Sequence, residues 1–291
     1  MICLIWGSTW LVIKVGMNGV PPFLAVGLRF GLASAVLFAL ALARRRGLKM
    51  DKDGWACAIS SGTLNFTFAY ACVYWAEQYI SSGLSAVLYC TMPLVVSLLS
   101  RFWTKSETLS PRKLLGIGVA MAGTVVLFRP ERAASRQETL GMLAALASVV
   151  LAAINLVTVK RRGKNADVFL MNAYGMGMAA PCLLALSAAL DSYAGLAFTR
   201  VNVAAIVYLA LFGSVAAFLA YYHLIKIMDA TTLSLITLIF PIVAVWLGWL
   251  LLKEEVSRAM LGGMAAVLVG VAVSLFAPEA PAAAASPAAE I

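Results

Sequence analysis

The stretch PLVVSLLSRFWTKSE at residues 93–107 recurs in altered form as PIVAVWLGWLLLKEE at residues 241–255. The two lie 148 positions apart, and at that offset residues 68–128 align with 216–276 without a gap. Tyr74 meets Tyr222, Pro93 meets Pro241, Lys105 meets Lys253, Glu107 meets Glu255, and Leu127-Phe128 meets Leu275-Phe276. The small residues Gly118 and Ala122 fall on Ala266 and Gly270. Apolar residues match by chance, but paired prolines and a Lys-x-Glu element do not. The chain therefore reads as two related halves, 1–129 and 138–276, followed by an Ala/Pro-rich tail at 277–291 whose composition predicts disorder.

The solvent for these halves is lipid. Of the 291 residues 63% are hydrophobic and only 12% charged, with a mean hydropathy of +0.93, more apolar surface than a water-soluble fold hides. Runs long enough to cross a hydrocarbon layer of about 30 Å fall near 2–19, 22–43, 54–77, 82–103, 112–129, 138–158, 168–190, 203–226, 230–252 and 257–276. Backbone amides find no water in lipid, so each run must satisfy its own hydrogen bonds as a helix. The expectation is an all-α polytopic membrane protein of ten transmembrane helices with short connections. The first run carries neither a basic leader nor a small-residue cleavage site and reads as a retained helix rather than a signal peptide. Cys3, Cys57, Cys72, Cys90 and Cys182 sit inside runs with no CxxC spacing, which suggests packing, not a disulfide framework or a metal site.

Lysines and arginines set the direction. Arg44, Arg45, Arg46, Lys49 and Lys52 follow span two; Arg101, Lys105, Arg112 and Lys113 follow span four; Lys160, Arg161, Arg162 and Lys164 follow span six. These connections should face the cytoplasm, with both termini on the same side. Arg129, Arg132 and Arg136 after span five fit poorly, as does the excess of Lys253 and Arg258 over Lys226. The net charge of +9 follows from this bias, and no soluble basic face exists to bind nucleic acid. Five spans per half is an odd number, so the halves must cross the membrane in opposite senses as a 5+5 inverted repeat. Exchanging the conformations of two inverted halves opens a midplane site to either side in turn.

Ile5-Trp6-Gly7-Ser8-Thr9-Trp10, Pro21-Pro22 with Leu28-Arg29-Phe30, and the duplicated elements from Pro93 to Glu107 and Pro241 to Glu255 together resemble the drug/metabolite transporter superfamily. More narrowly, residues 1–276 are similar to its EamA-type ten-helix permeases, and within them to YddG-like exporters of aromatic amino acids. That resemblance implies an exporter of the bacterial inner membrane carrying amino acids or similar metabolites.

Polar atoms within a span are costly unless they pair or meet water, so they mark candidate pathway positions. Ser8, Thr9, Asn65, Thr63, Thr67, Thr91, Ser148, Asn155, Ser214 and Thr237 qualify, although hydroxyls also bond their own helix carbonyls or glue helices together. An asparagine amide cannot be satisfied by its own helix alone, which singles out Asn65. The rings of Trp10, Tyr70, Tyr74, Tyr89, Tyr221 and Tyr222 and the lone His223 suit stacking on a flat solute, or else form an interfacial belt. Arg29 and Lys14, well inside spans two and one, either snorkel to the interface or anchor an anion. Pro93, Pro241 and Pro181, the last beside Gly175 and Gly177, are candidate hinges or static kinks.

Glu77 is placed at a helix end, and Glu107, Glu254 and Glu255 lie in or beside loops. With no acid at midspan, proton or sodium coupling through a carboxylate is not expected, and the cargo should be neutral or zwitterionic and amino-acid sized. Lipophilic-cation efflux would favour a buried acid. An intramembrane enzyme would need a metal-binding or Ser/His constellation, which one histidine and no HExxH motif do not supply. No cofactor or metal is called for, and monomer and homodimer both stay open.

Overall fold

A computed structural model describes residues 1–45, 47–104, 110–127, 135–227 and 230–276. Lys105, Glu107, Arg129, Arg132 and the tail at 277–291 lie outside the described residues, as do the side chains of Thr237 and Lys226. The described chain is all helical: α1 Ile2–Gly16, α2 Pro22–Ala43, α3 Lys52–Ala76, α4 Ser82–Trp103, α5 Pro111–Leu127, α6 Arg136–Arg162, α7 Val168–Leu190, α8 Arg200–Leu224, α9 Ala230–Leu252 and α10 Arg258–Leu275. Seven of these (α2, α3, α4, α6, α7, α8 and α10) are long and apolar enough to cross a bilayer, and Ile2–Gly16 and Ile239–Leu252 are shorter apolar helices. This is the construction of a polytopic membrane protein.

Side-chain caps start most of these helices. Asp51 accepts from Gly54 N at 2.8 Å, Ser81 from Leu84 N at 3.1 Å and Ser257 from Met260 N at 3.0 Å. Ser135 with Glu138, and Thr199 with Asn202, form reciprocal capping boxes. Each cap satisfies first-turn amides that have no partner within their own helix.

Two helices pack closely against their counterparts 148 positions away, α2 on α7 and α5 on α10. Along α2 and α7, Leu24 N donates to Asp191, Gly27 faces Leu184, and Ser34 donates to the Ala173 carbonyl. Rising numbers on one helix meet falling numbers on the other, so the two are antiparallel. The same holds for α5 and α10. A methyl group on Gly116 would stand 2.6 Å from the Gly270 carbonyl, and one on Gly123 2.9 Å from the Gly263 carbonyl. Only hydrogen fits at these crossings, and the small-residue stripes are a backbone-to-backbone seam.

Two departures from regular α-helix shape the interior. Residues 61–69 of α3 and 209–216 of α8 are π-helical, and their first residues, Ser61 and Leu209, are again 148 positions apart. In α4 the helix stops at Tyr89 and restarts at Met92, with Pro93 in the first turn of the second piece. Proline has no N–H to donate and its ring crowds the carbonyl four residues earlier, so the break belongs there. Pro181 and Pro241, by contrast, sit inside continuous helices.

Candidate functional site

The break at Pro93 and the wide turn of α3 face a common cavity of about 450 Å³. α1 contributes Trp6, Thr9, Trp10 and Ile13, and α3 contributes Asn65, Ala69, Tyr70 and Val73. Tyr89, Met92, Pro93 and Ser97 come from α4; Asn155, Leu156 and Lys160 from α6; Phe218, Tyr221 and Tyr222 from α8; Ile236 and Phe240 from α9. The rings form a continuous wall. Trp6 lies 4.8 Å from Tyr221 and 5.7 Å from Phe218, while Trp10 lies 5.4 Å from Tyr89 and stacks on Phe240 at 6.3 Å.

Two carboxamides break this apolar surface. Asn155 Oδ1 accepts from Ser60 Oγ at 3.0 Å and Ser61 Oγ at 3.1 Å, and its side chain lines the cavity. The Tyr222 hydroxyl stands beside Ser61 and Asn155. Asn65 lies in the π turn and lines the cavity. Among the described residues its side chain has no hydrogen-bond partner. Lys160, exposed at the end of α6, is the one charged residue among the described residues that line the cavity.

Of the sequence candidates, Thr9, Trp10, Asn65, Tyr70, Tyr89, Asn155, Tyr222 and Pro93 are brought together here. Ser8 is not. Its hydroxyl bonds the Ile5 carbonyl and Tyr208, tying α1 to α8. His223 is exposed and outside the cavity. Tyr74 is buried behind the wall, where its hydroxyl accepts from Arg29 at 3.4 Å.

Arg29 does not snorkel. It is 1% exposed, donating from Nε to Ser214 Oγ at 2.9 Å and from Nη2 to the Gly213 carbonyl at 3.4 Å. Its guanidinium lies 4.9 Å from the centre of the Tyr70 ring. The π turn of α8 explains this placement: widening a helix displaces its carbonyls from their usual partners, and Gly213 turns one toward the cation. Lys14 does not reach a free anion site either, since Nζ donates to the Ile80 carbonyl at 2.5 Å.

Glu77 needs a correction of a different kind. It caps the end of α3 as its position in the sequence suggests, yet it is completely buried, and among the described residues neither carboxylate oxygen has a hydrogen-bond partner. Sequence alone places a residue at a helix end; it does not reveal what packs over that end.

The cavity lining reaches Lys160, exposed at the C-terminal end of α6, and side-chain hydrogen bonds close off the opposite helix ends. There Asn202 Nδ2 donates to the carbonyls of Gly16 and Asn18, at 3.2 and 2.7 Å. Glu254 accepts from Ser82 N and Ser82 Oγ, both at 2.9 Å, and from Gly83 N at 3.3 Å. Lys253, at φ 54°, makes the left-handed turn after α9 that lets Glu254 reach back over the start of α4.

Met92, Phe218 and Phe240 were not singled out by polarity or ring hydroxyls. The 148-residue offset carries the missing signal, because Phe218 is the counterpart of Tyr70, and Phe240 of Met92.

A family model described as the EamA-like transporter family matches residues 1–129 and 139–276. The uncharacterized transporter YoaV of Bacillus subtilis (strain 168) is 26% identical over 276 residues, covering 94% of each chain. The uncharacterized inner membrane transporter YedA of Escherichia coli (strain K12) is 31% identical over 266 residues, 88% of this chain and 82% of that one. A crystal structure at 23% identity superimposes with a TM-score of 0.69 over 94% of each chain, a likeness of fold. A family match across both halves, on an all-helical apolar fold, identifies the protein as a membrane transporter: the chain belongs to the EamA-like transporter family of the drug/metabolite transporter superfamily.

Proposed function

We propose that the protein is an alternating-access carrier that exports a neutral or zwitterionic organic metabolite of amino-acid size across a bacterial inner membrane. The observation that carries this reading is the cavity: open at one end, closed by side-chain clasps at the other, and walled by residues of both halves. Its volume of about 450 Å³ lies within the usual range for small-molecule sites, about 300–1,000 Å³. Facing rings suit a flat or apolar side group, and the Asn65 and Asn155 amides suit the polar end of the same solute.

Two five-helix repeats, 1–129 and 138–276, inverted with respect to each other, account for the antiparallel α2/α7 and α5/α10 pairs and for the matched π turns. In that topology the basic connections and both termini face the cytoplasm, and the cavity as described opens inward. Loading from the cytoplasm and release at the far side then follow from exchanging the conformations of the halves. With Lys160 as the only charged lining residue among the described ones, a cavity of this kind favours a solute without net charge.

The test is counterflow in proteoliposomes loaded with a panel of unlabelled amino acids. Labelled aromatic or other neutral amino acids should accumulate transiently, and Asn65→Ala should slow that accumulation. Uptake indistinguishable from protein-free liposomes across the panel contradicts the substrate class.

A further inference from the structure

The sealed end holds one group for which the transport reading has no use. Glu77 is 0% exposed, and among the described residues both of its carboxylate oxygens lack a partner. An ionised carboxylate taken out of water without compensation costs several kcal/mol, whereas a neutral acid is buried far more cheaply. The closed end therefore selects the protonated form.

The surrounding charges act on Glu77 from several elements, namely Lys14 on α1, Arg29 on α2 and Glu254 after α9. Lys14 is committed to the Ile80 carbonyl, and Arg29 to Ser214, Tyr74 and Gly213. Neither cation bonds the carboxyl, so their attraction acts at a distance, and burial outweighs it. Glu254 opposes ionisation as a like charge, and it is the residue that clasps Ser82 and Gly83. From α6, Gly141 faces the end of α3, and that helix's nearest acid, Glu138, is bonded to Ser135 N.

Resting on the carrier reading above, we infer that Glu77 is a proton-binding site that governs the sealed end. The carboxyl holds a proton while that end is closed, and gives it up to bulk water when the end opens. Opening hydrates the carboxylate and frees Lys14 from Ile80 to pair with it. Closing requires one proton to return from water to the carboxylate before the Glu254 clasp re-forms. Low pH thus favours the sealed conformation, and high pH favours its opening.

Spin-label distances across pH 4–10 test this without knowledge of the substrate, in a background lacking the five native cysteines. One label pair, at the exposed positions Gln78 and Trp249, spans the sealed end; a second, at Lys160 and His223, spans the open mouth. The wild-type Gln78–Trp249 distances should shift from a short to a long population as pH rises, with the slope of a single proton. Glu77→Gln should abolish the shift and hold the short population throughout. Lys14→Met, which removes the cation that stabilises the ionised form, should move the midpoint to higher pH. Retention of the wild-type pH profile in Glu77→Gln overturns the assignment. So does a wild-type Gln78–Trp249 distribution with two populations in the same ratio at every pH, and in that case the carrier reading stands. A single fixed population at both pairs under all conditions overturns both.

Discussion

Arg29 Nε on α2 donates to Ser214 Oγ on α8 at 2.9 Å, joining the two halves of the chain at a point fully shielded from water. Among the described residues no carboxylate bonds this cation; its partners are a hydroxyl, a phenol, a carbonyl and the face of a ring. A buried charge held only by neutral dipoles depends on every one of them.

Ser214→Ala should therefore destabilise the protein by about 1–3 kcal/mol, the range for a buried donor left without its acceptor. Thermal unfolding in detergent measures this. Arg29→Lys should be at least as damaging, because a single ammonium cannot span Ser214, Tyr74 and Gly213 as a planar fork does. A Ser214→Ala protein that unfolds at the wild-type temperature would show the bond to be energetically idle.

Asn65 has no partner to lose, so Asn65→Ala should leave the unfolding temperature nearly unchanged while raising KM for transport about tenfold, the equivalent of one hydrogen bond of about 1.4 kcal/mol. Asn155→Ala should affect both quantities, since it also strands the Ser60 and Ser61 hydroxyls. Transport kinetics beside melting curves separate the two effects. Equal behaviour of the two variants contradicts the distinction between a wall group and a structural one.

At the α5/α10 seam, Gly123→Leu places a side chain where even a methyl group would approach Val267 N to 2.8 Å. The helices must separate or the protein must fail to fold, with a cost above the usual 1–3 kcal/mol of overpacking. Loss of monodisperse protein on size-exclusion chromatography reads this out. Gly118→Leu, on the same helix but facing open space, is the control that should behave as wild type.

Replacing Pro93 restores a donor to the break in α4. Pro93→Ala should let residue 93 bond the Tyr89 carbonyl and carry the helix through residues 90 and 91. The expected result is a stabler protein with a lower transport rate, read from melting and counterflow on one preparation. An unchanged rate argues that the break is a static kink.

The sequence made the helical, membrane-embedded character plain because lipid imposes one rule on every span: long apolar runs with self-satisfied backbones. It also pointed to Asn65, Tyr70, Tyr89, Asn155 and Tyr222, which the structure gathers around one cavity, since polar and ring-hydroxyl side chains stand out against an apolar background. What stayed hidden depends on packing between helices. Whether Arg29 reaches the interface or a neighbour is decided by the π turn at Gly213 and Ser214, and no local residue pattern announces a π turn. Glu77 is at a helix end, as its position in the sequence suggests, but its complete burial depends on what packs over that end, which no local pattern records. Ser8 looked like a pathway hydroxyl because Tyr208, its partner, lies 200 residues away.

The central claim is that the sealed end must open for transport. A methyl group on Gly248 would stand 3.0 Å from Ser82 Oγ, close to the separation of one β-carbon from the opposite sulfur in a disulfide, and 2.5 Å from Glu254 Oε2, the flexible end of a side chain that must swing aside. Ser82→Cys with Gly248→Cys, in the cysteine-free background, should cross-link on oxidation and tie α4 to α9. Counterflow by the oxidised protein should stop and should return on reduction, while the Ser82→Cys single variant is indifferent to both treatments. Full counterflow in protein shown to be completely cross-linked would contradict the account.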